Sequence, residues 1–161
     1  MTSLSLNHSL PRCVHTLTTL LGQGFRTNKE GADFLASVLA QQGVSTHVVV
    51  LPAGVQHLLG VVNLLDEDLA AIDGARAGAP LRDLLCETRE LLEIPPGPEI
   101  SKGLALNFVT LAPRSVVMPA GCPDAQALLE NAGVGVSTLE ISEYKKAAGG
   151  LGCLTGLLSR G

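Results

Sequence analysis

From Thr27 onward the chain alternates short helix-period segments with short β-branched runs, each cut off by glycine or proline. Segments this short do not stand alone. They must be layered, helices on strands, around a shared core, which is an α/β arrangement. The material for that core is restricted: 46% of residues are hydrophobic but only 2% are aromatic. Leu, Val, Ala and Ile must therefore fill it through many small contacts. At 161 residues a single domain is expected, large enough to bury roughly two-thirds of its unfolded surface.

The segments can be placed along the chain. Residues 1–21 mix Ser, Thr, Asn and His with Leu and read as a poorly specified tail. A helix is expected from Thr27, with Thr27 as N-cap, Glu30 three residues on, and Phe34, Leu35, Val38 and Leu39 as an i, i+1, i+4, i+5 apolar stripe. Gly43 closes it, and Thr46–Leu51 reads as a strand stopped by Pro52. Gln56–Leu65 is apolar and ambiguous; Gly60 and the paired valines favour a strand. Then follow a buried strand at Leu69–Ile72, a helix over Leu81–Leu92, and a rigid turn at Ile94–Pro98. The remainder reads as strands at Leu104–Leu111 and Ser115–Met118, a helix over Pro123–Ala132, a strand at Val134–Ile141, a short helix at Ser142–Ala147 and a last strand at Gly150–Leu158. Stretches 45–92 and 104–139 share a pattern of two strands, a helix and a return, without residue identity.

Charge narrows the function. The net charge is −4, and Lys145-Lys146 is the only adjacent basic pair, so neither nucleic acid nor a membrane is an expected partner. No apolar run approaches the ~20 residues of a bilayer span, and residues 1–21 lack the form of a secretory signal. Cys13, Cys86, Cys122 and Cys153 are widely spaced, with no C-x-x-C pair. A zinc knuckle is therefore not supported, and a reducing, cytoplasmic setting is expected.

Three segments can carry chemistry. In Gly149-Gly150-Leu151-Gly152-Cys153 a thiol follows a glycine-rich approach. Most free cysteines are small buried hydrophobes. Glycine, however, lets backbone come close to a ligand or take positive φ, so Cys153 is also a candidate nucleophile. His57, in Val55-Gln56-His57-Leu58, reads either as a satisfied rim histidine or as a general base and acid. Arg26, in Gly24-Phe25-Arg26-Thr27, reads either as a surface residue before a helix or as a fork for a carboxylate. His8, His15 and His47 show no partner pattern, and Asp66-Glu67-Asp68 reads as a solvated turn.

Taken in order, Arg26-Thr27-Asn28-x-x-Gly31-Ala32, Gly54-Val55-Gln56-His57-Leu58, Ala105-Leu106-Asn107, and Ser142-Glu143 followed by Gly150-Leu151-Gly152-Cys153 resemble the dimethylarginine dimethylaminohydrolase (dimethylargininase) family of the pentein superfamily. The resemblance covers residues 22–161 and only the C-terminal part of the family's domain. It implies a partial α/β propeller, about three ββαβ modules of five. It also implies a hydrolase that converts N-ω-methylated arginines to citrulline and methylamines, with Cys153 as nucleophile and His57 as proton carrier. Arg26 and Asn107 are the implied substrate-binding residues, Arg26 on the α-carboxylate and Asn107 in a strand near the propeller axis. The partner is then a small methylated arginine or arginine analogue. No cofactor is implied. An inhibitory zinc at Cys153 is a family analogy for which the local sequence offers no ligand set.

The chain also departs from the family. The carboxylates that clamp the guanidinium lie mostly in the first two modules, which residues 1–21 do not resemble. A further family aspartate, five residues before the nucleophile, is Ala148 here. A buried guanidinium without opposing carboxylates costs several kcal/mol. The expectation is a chain inactive alone, completed by a homo-oligomer, by a complementing chain or by more of the same polypeptide. The alternative is a non-catalytic pentein-like binding or regulatory module. A mean hydropathy of +0.34 fits a surface that expects a partner.

Overall fold

A computed structural model of the chain describes residues 18–156. In chain order these form β1 (Thr18–Gln23), α1 (Lys29–Gln41), β2 (Ser45–Val50), a 3-10 turn (Leu58–Gly60), β3 (Val62–Leu64), β4 (Leu69–Asp73), α2 (Ala79–Cys86) and β5 (Glu90–Ile94). A π-helical turn (Glu99–Gly103) leads to β6 (Val109–Ala112), β7 (Ser115–Pro119), α3 (Pro123–Asn131), β8 (Gly135–Leu139), α4 (Ser142–Lys146) and a final 3-10 turn (Gly152–Leu154).

The strands make three small sheets, ordered β1-β2, β3-β4-β5 and β6-β7-β8. In each three-stranded sheet the first strand runs antiparallel to the middle one and the last runs parallel to it. Residues 62–94 and 109–139 are thus two complete ββαβ modules of the same connectivity. The first unit is a βαβ with β1 parallel to β2.

β4 explains how the core is divided. Every residue of it is buried, and the two faces of a strand alternate. Leu69 and Ala71 enter one cluster, with Leu65, Ile94, Phe108, Met118 and Leu129. Ala70 and Ile72 enter a second, with Val55, Val61, Leu81 and Leu85. The strand's last residue, Asp73, is buried and charged. Its carboxylate accepts from Ala75 N (2.9 Å), Arg76 N (3.0 Å) and Arg76 Nε (2.6 Å). Asp73→Ala would orphan two backbone donors and the arginine, with an expected loss of about 2–3 kcal/mol in urea unfolding.

Local chemistry sets most of the boundaries. Asn28 caps α1 through Oδ1, which accepts from Gly31 N at 2.9 Å; the cap is thus Asn28, one residue beyond Thr27. Gly43 and Gly133 leave α1 and α3 with φ of 76° and 78°. The helix expected over Leu81–Leu92 stops at Cys86. Glu90 N donates to Asp68 O at 2.8 Å, and Leu91 and Leu92 then run beside Ala70 and Ala71 as β5. The strand expected from Leu104 starts only at Val109, because Leu104 takes a left-handed φ of 63° after the π-helical turn. Of Gln56–Leu65, only Val62–Leu64 is strand. β1 begins at Thr18, inside the segment read as tail; residues 1–17 lie outside the described residues.

Two surface features add to the sequence reading. Glu67 and Asp68 are exposed, as a solvated turn requires, and Arg114 reaches Asp66 at 3.3 Å and Asp68 at 2.8 Å, tying the two complete modules together. The stripe of α1 is not fully inward. Ala32 is buried, while Phe34 is 70% exposed and Leu35 is also exposed, because the two-stranded β1-β2 sheet is too narrow to cover them. Among the described residues no helix is long and apolar enough to cross a membrane.

Candidate functional site

Cys153 lies in the final 3-10 turn, which replaces the strand expected over Gly150–Leu158; residues 157 and 158 lie outside the described residues. The glycines serve close approach here, not positive φ. A Cβ on Gly150 would stand 2.6 Å from both Cγ and Oδ1 of Asn107, and one on Gly152 would stand 2.9 Å from Leu59 Cδ2. The bare backbone therefore nests against Asn107 and the His57–Leu59 segment.

Asn107 sits just before β6 and is buried. Its Oδ1 accepts from Gly152 N at 2.6 Å, and its Nδ2 donates to Cys153 Sγ at 3.1 Å. Both ends of the amide thus hold the thiol loop. Asn107 is fixed in turn by Asn63 on β3, whose Nδ2 donates to Leu106 O at 3.0 Å and Phe108 O at 2.9 Å. Sequence reading found no role for Asn63. Its signal is tertiary, two carbonyls more than 40 residues away.

His57 has an extended backbone (φ −157°, ψ 165°) and opens the 3-10 turn Leu58–Gly60. Its Nε2 lies 3.6 Å from Cys153 Sγ, although the two are 96 positions apart. The pair borders a cavity of about 490 Å³ whose wall includes Gln56, Leu59, Arg76, Lys102, Asn107, Lys145, Ala148 and Gly150. Cys153 is exposed to it. Cys122, by contrast, is buried, and burial followed by the nearby Glu99 carboxylate pushes its thiol up, with Lys145 opposing. Cys86 is exposed but lies outside this cavity.

Arg26 stands apart from the sulfur. It borders a smaller neighbouring cavity of about 340 Å³ that shares Gln56, His57 and Leu59 with the first. Its Nη2 donates to Gln56 Oε1 at 3.3 Å, and its guanidinium lies 5.8 Å from the Phe25 ring centroid. The structure therefore brings Cys153, His57 and Asn107 into one cavity and sets Arg26 across the Gln56–Leu59 wall. Ala148 borders the main cavity with a left-handed φ of 55°, a conformation that Asp and Asn adopt more readily than Ala. Among the described residues no group of three His, Cys, Asp or Glu side chains could hold a metal. Cys153 and His57 offer a zinc ion only two protein donors, which does not make a closed site.

The arrangement leads to a testable consequence. Gly150→Ala must displace the Asn107 amide, and with it the hold on Cys153. A loss of about 1–3 kcal/mol is expected in thermal unfolding, together with a changed alkylation rate at Cys153 and an unchanged rate at Cys86.

No family model matches the chain. Solved structures set its class. It superposes with a TM-score of 0.75 on an amidinotransferase of the saxitoxin biosynthetic pathway from Microseira wollei, 16% identical, over 84% of this chain and 42% of that one. That likeness concerns fold, and the architecture is a partial pentein-type α/β propeller of about three modules. Sequence goes a step further. The chain is 29% identical over 135 residues to the N(G),N(G)-dimethylarginine dimethylaminohydrolase of Pseudomonas aeruginosa, covering 84% of this chain and 49% of that protein. A mutant of the Pseudomonas aeruginosa enzyme, solved with citrulline, matches at TM-score 0.69 and 27% identity over 85% of this chain and 50% of that one. The chain resembles the dimethylargininase family and spans about half the length of these relatives.

Proposed function

We propose that this chain carries the nucleophile half of a dimethylargininase-type site, acting on N-ω-methylated arginine. The observation that carries the reading is the approach of Cys153 Sγ to His57 Nε2, 3.6 Å across a cavity wide enough for a small molecule. Such contacts are often long before substrate binds.

The chemistry runs in two halves. Cys153, as thiolate, attacks the guanidinium carbon; a cationic group beside a thiol favours its thiolate form. His57 donates its proton to the departing dimethylamine as the C–N bond breaks, leaving a thiouronium on the sulfur. His57 then takes a proton from water, the resulting hydroxide adds to the same carbon, and the C–S bond breaks to release citrulline and the thiol. Asn107 acts as a positioning residue, since its Nδ2 holds the sulfur and its Oδ1 holds the Gly152 amide. Arg26 is the group for the substrate α-carboxylate, reached through the adjoining cavity.

The guanidinium clamp lies elsewhere, because no Asp or Glu borders the Cys153 cavity among the described residues. The partner this reading requires is polypeptide that brings carboxylates: a complementing chain, a second copy or further residues of the same protein. Exposed Phe25, Phe34 and Val50 give such a partner apolar surface on the first unit.

The test is citrulline formation from asymmetric dimethylarginine by the purified protein beside its Cys153→Ser variant. Citrulline that depends on Cys153 supports the reading. A folded protein forming none above the variant overturns it for this chain and leaves the binding or regulatory module.

A further inference from the structure

We propose that Lys102 and Lys145 form an anion seat bordering the Cys153 cavity, which receives an anionic group of the molecule that reaches the sulfur. The proposal rests on the reading of Cys153 as the reacting thiol and adds a binding subsite to it.

The cavity wall is cationic. Among the described residues it holds Arg76, Lys102, Lys145 and His57, with no carboxylate. Arg76 is already paired, its Nε donating to the buried Asp73 at 2.6 Å. Lys146, the neighbour of Lys145 on α4, is paired with Glu143 at 2.7 Å. Lys102 and Lys145 make no ion pair among the described residues.

These two lysines reach the cavity from separate elements. Lys102 comes from the π-helical turn Glu99–Gly103, an irregularity often found at functional sites. Lys145 comes from α4. The carboxylate on the same turn as Lys102, Glu99, does not border the cavity and accepts instead from Asp124 N at 3.0 Å and Ala125 N at 2.8 Å. Two ammonium groups bordering one cavity disfavour a bare guanidinium there and favour an anion. Arg26 does not fill this role, because it borders the cavity beyond Gln56 and Leu59.

The test needs no turnover. The full chain is alkylated with iodoacetate and with iodoacetamide, the rate at Cys153 is followed by peptide mass analysis, and 2-mercaptoethanol serves as the uncharged reference thiol. The iodoacetate-to-iodoacetamide rate ratio at Cys153 is expected to exceed the reference ratio by roughly 3- to 10-fold at low salt and to approach it at 0.5 M salt. It is expected to fall to the reference in Lys102→Gln/Lys145→Gln, two exposed positions where the fold tolerates change. It should fall too in Ala148→Asp, which adds a carboxylate to the same wall. A ratio equal to the reference in the wild type, or one that survives the double substitution, overturns the seat. A charge-dependent ratio in a protein that forms no citrulline keeps the seat and overturns the dimethylarginine reading alone.

Discussion

On the proposed reading, Cys153→Ser is expected to lower citrulline formation by roughly 10³-fold or more, and His57→Ala by about 10²- to 10⁴-fold. The serine hydroxyl is nearly isosteric, so Gly152 N and Asn107 keep their contact and the loop stays in place. What the proposed reaction loses is its nucleophile, since a hydroxyl is a far weaker one than a thiolate. The histidine variant fails differently. It keeps the sulfur but leaves dimethylamine to depart without a proton donor 3.6 Å from the reacting thiol. The two variants are therefore distinguishable by more than rate. Rapid-quench mass analysis should show a covalent species on Cys153 only where the sulfur is present. Because both residues act as one unit, the double variant is expected to be little worse than Cys153→Ser alone. Rates that multiply would show that His57 acts at a distance from the sulfur.

How much of this was legible in the sequence differs by element. The thiol loop was, because Gly150 and Gly152 mark close backbone approach; only its secondary structure was misread, since an apolar tail reads as a strand while its glycines permit a nested 3-10 turn. The two ββαβ modules were legible in outline, but the helix over Leu81–Leu92 ran too far. Leu91 and Leu92 extend a helical leucine spacing, and nothing local states that Glu90 N will bond to Asp68 O instead. α1 failed in the opposite sense. Its stripe is amphipathic in sequence, yet Phe34 stays exposed because burial depends on the sheet beneath it. The site splits along the same line. Cys153, His57 and Arg26 stand in recognisable segments, whereas Asn63, Lys102 and Lys145 matter only through the tertiary convergence that puts Leu106 O, Phe108 O and a shared cavity within their reach.

Phe108→Ala is expected to cost about 3–5 kcal/mol, a large share of the ~5–15 kcal/mol that holds a domain of this kind together. The chain has four aromatic residues, Phe25, Phe34, Phe108 and Tyr144; Phe25, Phe34 and Tyr144 are exposed, and Phe108 is 2% exposed. A core otherwise built from aliphatic side chains has no second large group to fall into the gap, and its packed neighbours, Leu65, Leu69, Met118 and Leu129 among them, are held by two sheets and a helix that do not close freely. The cavity would also reach the site. Phe108 O accepts from Asn63 Nδ2, and Phe108 adjoins Asn107, which holds Cys153. Loss of the ring should therefore lower the melting temperature by roughly 6–20 °C and, well below that melting point, also change the alkylation rate of Cys153. Phe108→Leu separates the two effects. It keeps most of the volume, should cost about 1–2 kcal/mol, and should leave Cys153 alkylation close to wild type. If Phe108→Leu changes that rate as much as Phe108→Ala does, the ring itself positions the sulfur, and the filled volume behind Asn107 is not what keeps the thiol loop in register.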